Sequence, residues 1–282
     1  MRSFVNDVYL VDSGEGRFAL KIYRHGRWSV EEVCWEQDLL RSSVAAGLAV
    51  AAPVPLVDGR LAGEVTYPEG QRPYALSVWV EGTKPQPPYT DALYRDFGEL
   101  IAGFHAVGDG FSSSYPRRSF ELGRDFGDPL AEVLDRLHGQ PAERQVVADL
   151  GVEARQHLAD FGAQGADWGV CHGDVTLDNI HLTASGPVLH DFDLARPGWR
   201  LGDFTGVRAT PHWKVFAAGY AQRRELDAAD SALPWMQVVD LIANLRFHLV
   251  QKPMILGTES LSEGWVDREL ESLRTLAGEL LA

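Results

Sequence analysis

The sequence predicts an α+β fold of two lobes, a small strand-rich lobe at the N-terminus and a larger helical lobe after it. Three observations lead to this prediction. Two β-rich runs open the chain, an apolar strand candidate at 74–80 ends at a proline-rich segment, and helical periodicity dominates thereafter. The change of pattern places the lobe boundary between Glu81 and Gly82, so the lobes are 1–81 and 82–282.

The small lobe begins with a predicted β-hairpin. Its strands are the β-rich runs 8–11 and 17–23, and the turn-forming cluster 12–16 separates them. Ser29 and Glu32 then have the spacing of a capping box, and apolar residues recur at helical intervals behind them. These signals predict a helix over residues 30–46.

The larger lobe is predicted to be mainly helical. Its first helix carries an apolar stripe that includes Phe97, Leu100 and Phe104. Further helices are predicted at 129–138, 143–161, 212–224, 234–250 and 265–281. Two short strands, 180–182 and 188–190, surround a turn within this half and predict a second hairpin.

Composition points to an intracellular protein. The net charge of −14 repels nucleic acid and anionic membranes, and it weakly favours a cationic small molecule. The longest apolar stretch, 44–57, contains two prolines and is too short to cross a bilayer. The first residues lack a signal peptide pattern, and Cys34 and Cys171 lie far apart. We therefore expect a cytoplasmic protein with neither a nucleic-acid nor a membrane partner.

The segment that carries chemistry is HGDVTLDN at 172–179, followed by Asp191-Phe192-Asp193. Phosphoryl transfer requires a carboxylate that orients the attacking hydroxyl, together with an amide oxygen and a second carboxylate that hold Mg²⁺ against nucleotide phosphates. Asp174, Asn179 and Asp191 supply these groups in that order. The hairpin between Asn179 and Asp191 is expected to return the second carboxylate to the loop. The spacing therefore predicts a phosphotransferase centre.

These two stretches, HGDVTLDN and HDFDLARPGWRLGDF at 190–204, resemble the aminoglycoside phosphotransferase and choline kinase superfamily. The DFD followed by GWR is most similar to its homoserine kinase and stress-response Ser/Thr kinase branch. The resemblance implies a bilobal protein-kinase-like fold, with Asp174 as catalytic base and Asn179 and Asp191 as Mg²⁺ ligands. It implies that Asp193 either binds a second metal or orients the loop, and that Asp203 braces that loop.

Lys21 and Glu36 are the candidate phosphate-binding pair of the small lobe. Lys21 alternates to one face of its strand, and Glu36 lies on the inward stripe of the predicted helix, where an unpaired carboxylate is unfavourable. In kinases such an ion pair holds the lysine on the nucleotide phosphates. The segment 77–82 resembles the kinase hinge, so the Val78 carbonyl and the Val80 amide are expected to bind adenine. A glycine-rich phosphate-covering loop is missing ahead of the first strand.

The expected activity is transfer of the γ-phosphoryl group of ATP, with Mg²⁺, to a hydroxyl of a small molecule. An amino alcohol, an aminoglycoside-like or other antibiotic, or a sugar are the candidate acceptors, and GTP is an alternative donor. Three other functions stay open at this point: a Ser/Thr kinase acting on a peptide or protein, a nucleotide-binding pseudokinase, and a metallophosphatase, which would require additional His and Asp ligands.

Overall fold

The computed structural model describes residues 6–226 and 231–282. By internal packing the chain divides into two compact units. The first takes in Met1–Arg118, Gly169–Pro197 and Val207–Leu226, and the second Ser119–Trp168, Gly198–Gly206 and Asp227–Ala282. The predicted lobe boundary between Glu81 and Gly82 is a different division of the chain and stays a prediction.

The first unit contains a five-stranded antiparallel sheet. Its strands are β1 (Asp7–Ser13), β2 (Gly16–Ile22), β3 (Pro53–Val54), β4 (Ala62–Tyr67) and β5 (Gly70–Val78). The order is β1-β2-β5-β3, and β4 pairs with the first half of β5. In the register, Lys21 of β2 lies opposite Ala75 of β5. The predicted hairpin and the strand at 74–80 are confirmed, although the strand begins at Gly70 and ends at Val78.

Helix α1 (Val30–Ala45) follows the sheet and confirms the predicted capping box. The Glu32 amide donates to the Ser29 hydroxyl oxygen at 3.2 Å, and the Ser29 amide donates to the Glu32 carboxylate at 3.1 Å. These bonds satisfy amides that a helix N-terminus leaves without intrahelical partners. The buried face of α1 includes Val33, Glu36 and Leu40.

Two helices of the first unit, α2 (Asp91–Gly110) and α6 (Trp213–Tyr220), pack closely. Gly98 faces the Phe216 carbonyl, and Gly219 faces the Arg95 carbonyl, so a Cβ at either glycine would collide with the opposite backbone. His105 is fully buried on α2 and bonds the hydroxyl of Tyr220 on α6 at 2.8 Å. The helix predicted at 212–224 is shorter and ends at Tyr220.

A hairpin of β7 (Ile180–Thr183) and β8 (Gly186–Leu189) lies in the same unit, as the sequence predicts. Its outer edges are tied to the segments around the five-stranded sheet. The Leu182 amide donates to the Thr83 carbonyl at 2.8 Å, and the Leu189 amide donates to the Ala49 carbonyl at 2.9 Å. The strands β6 (Trp168–Cys171) and β9 (Arg196–Trp199) were not predicted. The hydrogen bonds of Leu182 and Leu189 hold the residues that follow β8 close to β2.

The second unit is helical and confirms the helices predicted there. Its elements include α3 (Asp128–Arg136), α4 (Pro141–Ala163), α7 (Leu233–Arg246), α8 (Lys252–Leu256) and α9 (Trp265–Leu280), while α5 (Thr205–Arg208) extends into the first unit. The guanidinium of Arg246 on α7 binds both carboxylate oxygens of Glu132 on α3, at 2.9 and 2.7 Å. Within residues 6–226 and 231–282, no helix has the length and apolarity of a membrane span.

Candidate active site

The predicted catalytic, nucleotide-binding and metal-binding residues belong to the first unit. The loop that follows β6 begins with His172, Gly173 and Asp174. The His172 ring is fully buried against Phe104 and Phe192, and its Nε2 lies 3.1 Å from the His190 carbonyl oxygen. His172 therefore anchors the loop to the residue immediately before Asp191.

Gly173 is required by its backbone conformation and by its surroundings. Its φ is +81°, in the left-handed region that side chains other than hydrogen disfavour. A Cβ at this position would lie 2.6 Å from the Leu194 carbonyl oxygen. The glycine thus lets the loop pass directly against the turn at 192–194 and brings Asp174 next to Asp191 and Asp193.

Asn179 holds the carboxylate of Asp174 within the loop. Its Nδ2 donates to the Asp174 backbone oxygen at 2.8 Å and to the Asp174 Oδ2 at 2.7 Å. Both amide hydrogens are used in this way, so the Asn179 Oδ1 atom is turned away from Asp174. The sequence-predicted base and amide oxygen are therefore neighbours held by one loop.

Asp191 follows β8 and has an unusual backbone. It is the one non-glycine residue with positive φ in the described chain (φ 65°, ψ 65°), a conformation that Asp and Asn tolerate better than most residues. Its Oδ1 lies 2.6 Å from the Lys21 ammonium on β2, and the Asp193 Oδ1 lies 3.9 Å from the same ammonium. The hairpin therefore brings the second carboxylate to the strand lysine.

Asp193 is more deeply buried than Asp191. Its Oδ2 accepts a hydrogen bond from the Asn6 side-chain amide at 2.8 Å and lies 4.0 Å from an Arg27 guanidinium nitrogen. The side chain of Asp193 is 9% exposed, whereas that of Asp191 is 46% exposed. Both roles that the resemblance implies for Asp193, binding of a second metal and orientation of the loop, stay predictions.

The charges of the site shift its pKa values in opposite directions. Burial by itself would raise the pKa of Asp191, but the Lys21 ammonium, through its charge and its hydrogen bond, lowers it to about 2. Burial disfavours the Lys21 cation, yet the carboxylates of Asp193 and Asp191 outweigh it and raise the Lys21 pKa. Surrounding protein raises the pKa of Asp174, against the hydrogen bond from Asn179. Asp174 is thus the weaker acid of the two aspartates and the better proton acceptor.

Lys21 and Glu36 do not form the direct ion pair predicted from the sequence. Lys21 contacts Asp191 and Asp193, because the turn after β8 brings both carboxylates to its ammonium. Glu36 is 2% exposed and accepts a hydrogen bond from the Tyr23 hydroxyl at 2.7 Å. Burial raises the Glu36 pKa, while the charges of Lys21 and Arg117 act to lower it. The roles of both residues in nucleotide binding stay predictions.

The segment that resembles a kinase hinge follows β5. The Val78 amide donates to the Ala52 carbonyl at 2.8 Å, and the Trp79 amide donates to the Arg17 carbonyl at 3.0 Å. The Val78 carbonyl and the Val80 amide lie at the end of β5 and just after it. These two backbone groups are those expected to bind adenine, and that assignment stays a prediction.

Arg117 is the residue near the site that sequence reasoning missed. Its guanidinium donates to the Asp193 and Ala195 carbonyls, the latter at 2.8 Å. In the sequence it stands in Tyr115-Pro116-Arg117-Arg118, where nothing distinguishes it from its neighbour. Asp203, for which the resemblance implies a bracing role, is 2% exposed, and that role stays a prediction.

The donor atoms near Asp174 fit a small divalent cation. Mg²⁺ prefers oxygen ligands and commonly takes one or two carboxylates together with phosphate oxygens of its substrate. The Asn179 Oδ1 atom and the half-exposed Asp191 carboxylate are oxygens of this kind. These two residues are therefore suited to hold Mg²⁺ with a nucleotide.

Two solved structures of kinases have a fold similar to that of this chain. The structure of a microcompartment-associated aminopropanol kinase is similar with a TM-score of 0.74, at 22% identity over 96% of this chain and 87% of that one. That of an amicoumacin kinase in complex with AMP-PNP, Ca²⁺ and Ami gives 0.73, at 17% identity over 98% and 87%. The fold is thus that of the protein-kinase-like phosphotransferases, which confirms the predicted α+β class.

The sequence pattern of the phosphotransferase enzyme family matches residues 2–263, and the chain belongs to this family. An uncharacterized protein of Deinococcus radiodurans is 32% identical over 248 residues, which cover 83% of this chain and 71% of that protein. A homoserine kinase of Rhizobium johnstonii is 26% identical over 266 residues, covering 87% and 76%. The family resemblance is confirmed, and the chain is a phosphotransferase that acts on hydroxyl groups.

Proposed function

We propose that this protein transfers the γ-phosphoryl group of ATP to a hydroxyl of a small molecule, with Asp174 as the catalytic base. The observation that carries the proposal is the Asn179 side chain, which donates both amide hydrogens to Asp174. One carboxylate is thereby held in place, and one amide oxygen is directed away from it. A phosphotransferase centre needs this combination of a fixed base and a neighbouring neutral oxygen ligand.

Each group of the site has a step to perform. Asp174 orients the acceptor hydroxyl and takes its proton as the hydroxyl oxygen bonds to the γ-phosphorus and the bond from that phosphorus to the bridging oxygen of ADP breaks. Lys21 binds phosphate oxygens of the nucleotide, and the Val78 carbonyl and Val80 amide bind adenine. Asn179 and Asp191 hold Mg²⁺, which when bound would neutralise charge on the phosphates.

The relatives and the net charge support a small-molecule acceptor. The names aminopropanol kinase, amicoumacin kinase and homoserine kinase describe small acceptors that carry hydroxyl groups. The net charge of −14 favours a cationic acceptor over an anionic one. We infer an amino alcohol or an aminoglycoside-like or other antibiotic as the first candidates, with sugars after them.

The test is Mg²⁺-dependent release of ADP or GDP from ATP or GTP across amino alcohols, aminoglycosides, other antibiotics, sugars and Ser/Thr peptides. Asp174→Asn keeps the size of the side chain and removes the base, so we expect a fall of roughly 10²–10⁴-fold. Asp96→Asn is the matched control, because Asp96 is exposed on α2 and outside the proposed site.

The outcomes separate the candidate functions. Acceptor-dependent release that is lost in Asp174→Asn and kept in Asp96→Asn supports the proposal and identifies the acceptor class. Turnover with Ser/Thr peptides alone favours a protein kinase. Nucleotide binding without turnover for any acceptor favours a pseudokinase, and full activity in Asp174→Asn contradicts the role of the base.

A further inference from the structure

The guanidinium of Arg117, in the segment that follows α2, bonds three backbone carbonyls. Its Nε donates to the Ala195 oxygen at 2.8 Å, its Nη2 to the Asp193 oxygen, and its Nη1 to the Glu32 oxygen at 3.2 Å. Two of these carbonyls belong to the turn that begins at Asp191. The third lies in the first turn of α1. One side chain thus joins the turn at 191–195 to the start of the helix that carries Glu36.

The Arg117 guanidinium lies in surroundings that stabilise a buried cation. The guanidinium lies 3.7 Å from the ring centroid of Trp28 and 5.6 Å from that of Trp35. Burial lowers the Arg117 pKa, and the negative charge of Glu36 opposes that shift. A buried cation is unfavourable unless it is hydrogen-bonded and paired. Here carbonyls and aromatic faces supply the compensation, so the position is specific to a planar guanidinium.

The neighbouring Arg118 offers a direct contrast. Its Nε donates to the Glu32 carboxylate at 3.0 Å, and its Nη2 donates to the Arg27 carbonyl at 2.9 Å. Its side chain is 55% exposed. Arg118 therefore contacts the start of α1 and the loop before it, whereas Arg117 also contacts the turn at 193–195. Of the two arginines, Arg117 is therefore the one that contacts the turn at 193–195.

We propose that Arg117 is a positioning residue that fixes the turn 191–195 in the arrangement required for Mg²⁺ binding. The inference rests on the proposed function, because it assumes that Asp191 holds the cation. Arg117 does not touch the reacting atoms. It acts through the backbone of Asp193 and Ala195, which sets where the Asp191 carboxylate lies relative to Asn179.

The experiment measures the Mg²⁺ concentration that gives half-maximal turnover in wild type, Arg117→Ala, Arg117→Lys and Arg118→Ala. Loss of charge-assisted hydrogen bonds to the turn should raise this concentration roughly 10- to 100-fold in Arg117→Ala. Saturating Mg²⁺ should restore most of kcat. Arg117→Lys should be intermediate, because an ammonium cannot reproduce the planar fork. Added guanidinium ion should lower the Mg²⁺ requirement of Arg117→Ala.

A merely structural role gives a different result. It would reduce the fraction of active protein, and so kcat, without moving the half-maximal Mg²⁺ concentration. That outcome in Arg117→Ala, or an equal rise in Arg118→Ala, overturns the inference. Arg118→Ala is expected to keep the wild-type concentration within about twofold, since exposed charged contacts contribute little.

Absence of Mg²⁺-dependent turnover in wild type would instead contradict the proposed function. In that event, hydrogen exchange of the amides at 191–195 decides the inference, since it needs no activity. Faster exchange there in Arg117→Ala than in wild type and Arg118→Ala supports the positioning role. Equal exchange in all three proteins overturns it.

Discussion

Asn179 donates both hydrogens of its side-chain amide to Asp174, one to the backbone oxygen and one to the carboxylate. The hydrogen bond to the carboxylate favours its ionised form, whereas burial and the nearby charges of Asp191 and Asp193 disfavour it. Burial is the largest of these effects, so the pKa of Asp174 lies above its ordinary value. Asn179 thus holds the proposed base in place, while burial determines the direction in which its pKa is shifted.

This balance predicts the pH dependence of the reaction. A carboxylate base is active when ionised, so the rate is present above its pKa and falls as the pH drops through that value. We expect the acid limb of kcat/KM to have its midpoint above 3.8, the ordinary value for aspartate. The measurement is the pH–rate profile, with nucleotide affinity determined at each pH as a control. A midpoint at or below the ordinary value would contradict the raised pKa.

The backbone of Asp191 predicts a difference between two substitutions. Asp191→Asn and Asp191→Ala both remove the charge that faces Lys21, and each should lower Mg²⁺-dependent turnover by roughly 10²–10³-fold. Asparagine tolerates the left-handed backbone of this position, whereas for alanine it costs about 1–2 kcal/mol. Asp191→Ala should therefore unfold at lower denaturant concentration than Asp191→Asn. Equal free energies of unfolding for Asp191→Ala and Asp191→Asn would show that the left-handed backbone at this position does not destabilise the alanine variant.

Glu36 predicts how the stability of the protein depends on pH. Its pKa is raised by burial in the folded protein above the ordinary 4.5, so the folded state keeps its proton to higher pH than the unfolded state does. Stability therefore increases as the pH falls from neutral through the raised pKa towards 4.5, and the ionised group is unfavourable at neutral pH. Glu36→Gln removes the charge and keeps an oxygen acceptor for Tyr23.

We expect Glu36→Gln to have a larger free energy of unfolding than wild type at neutral pH, and to lack the wild-type gain on acidification. The nucleotide KM should stay close to the wild-type value, because the Lys21 ammonium contacts Asp191 and Asp193 rather than Glu36. Urea unfolding at several pH values and steady-state kinetics measure the two effects. A less stable Glu36→Gln at neutral pH would mean that Lys21 and Arg117 stabilise the ionised carboxylate more than burial disfavours it.

The predictable part of the fold depends on local signals. The capping box of Ser29 and Glu32 fixes the start of α1, and the helical stripes of the later segments fix α3, α4, α7 and α9 to within a few residues. Strand β4 escaped prediction because its sequence, AGEVTY, has little apolar alternation. It is a strand because it pairs along six residues with β5, which is a non-local property.

The sequence predicts the part of the site whose residues lie close together along the chain. Asp174 and Asn179 belong to one loop, so their spacing alone indicates that they lie together. Lys21 and Asp191 are 170 positions apart, and only the fold shows that Asp191 rather than Glu36 is the nearest carboxylate to the lysine. Arg117 gave no signal, since its function depends on carbonyls of Asp193 and Ala195, which any sequence would supply.

Gly173 predicts the effect of adding a single methyl group to the loop. In Gly173→Ala the new Cβ would lie 2.6 Å from the Leu194 carbonyl oxygen and 3.1 Å from its carbonyl carbon, which are backbone atoms that cannot rotate away. The turn at 192–194 must then move, and Asp191 and Asp193 move with it. We expect a loss of at least tenfold in kcat/KM, since a misplacement of about 1 Å can cost 10²-fold.

Gly165→Ala is the matched control for this substitution. Gly165 has nearly the same φ, +82° against +81°, but no atom lies within 4 Å of a Cβ added there. Both variants carry the cost of a left-handed alanine, about 1–2 kcal/mol, and only Gly173→Ala adds the collision with Leu194. Urea unfolding should therefore show a larger loss for Gly173→Ala, and only that variant should lose activity. Equal losses of stability with full activity in both would mean that the loop and the turn are not in the tight contact described.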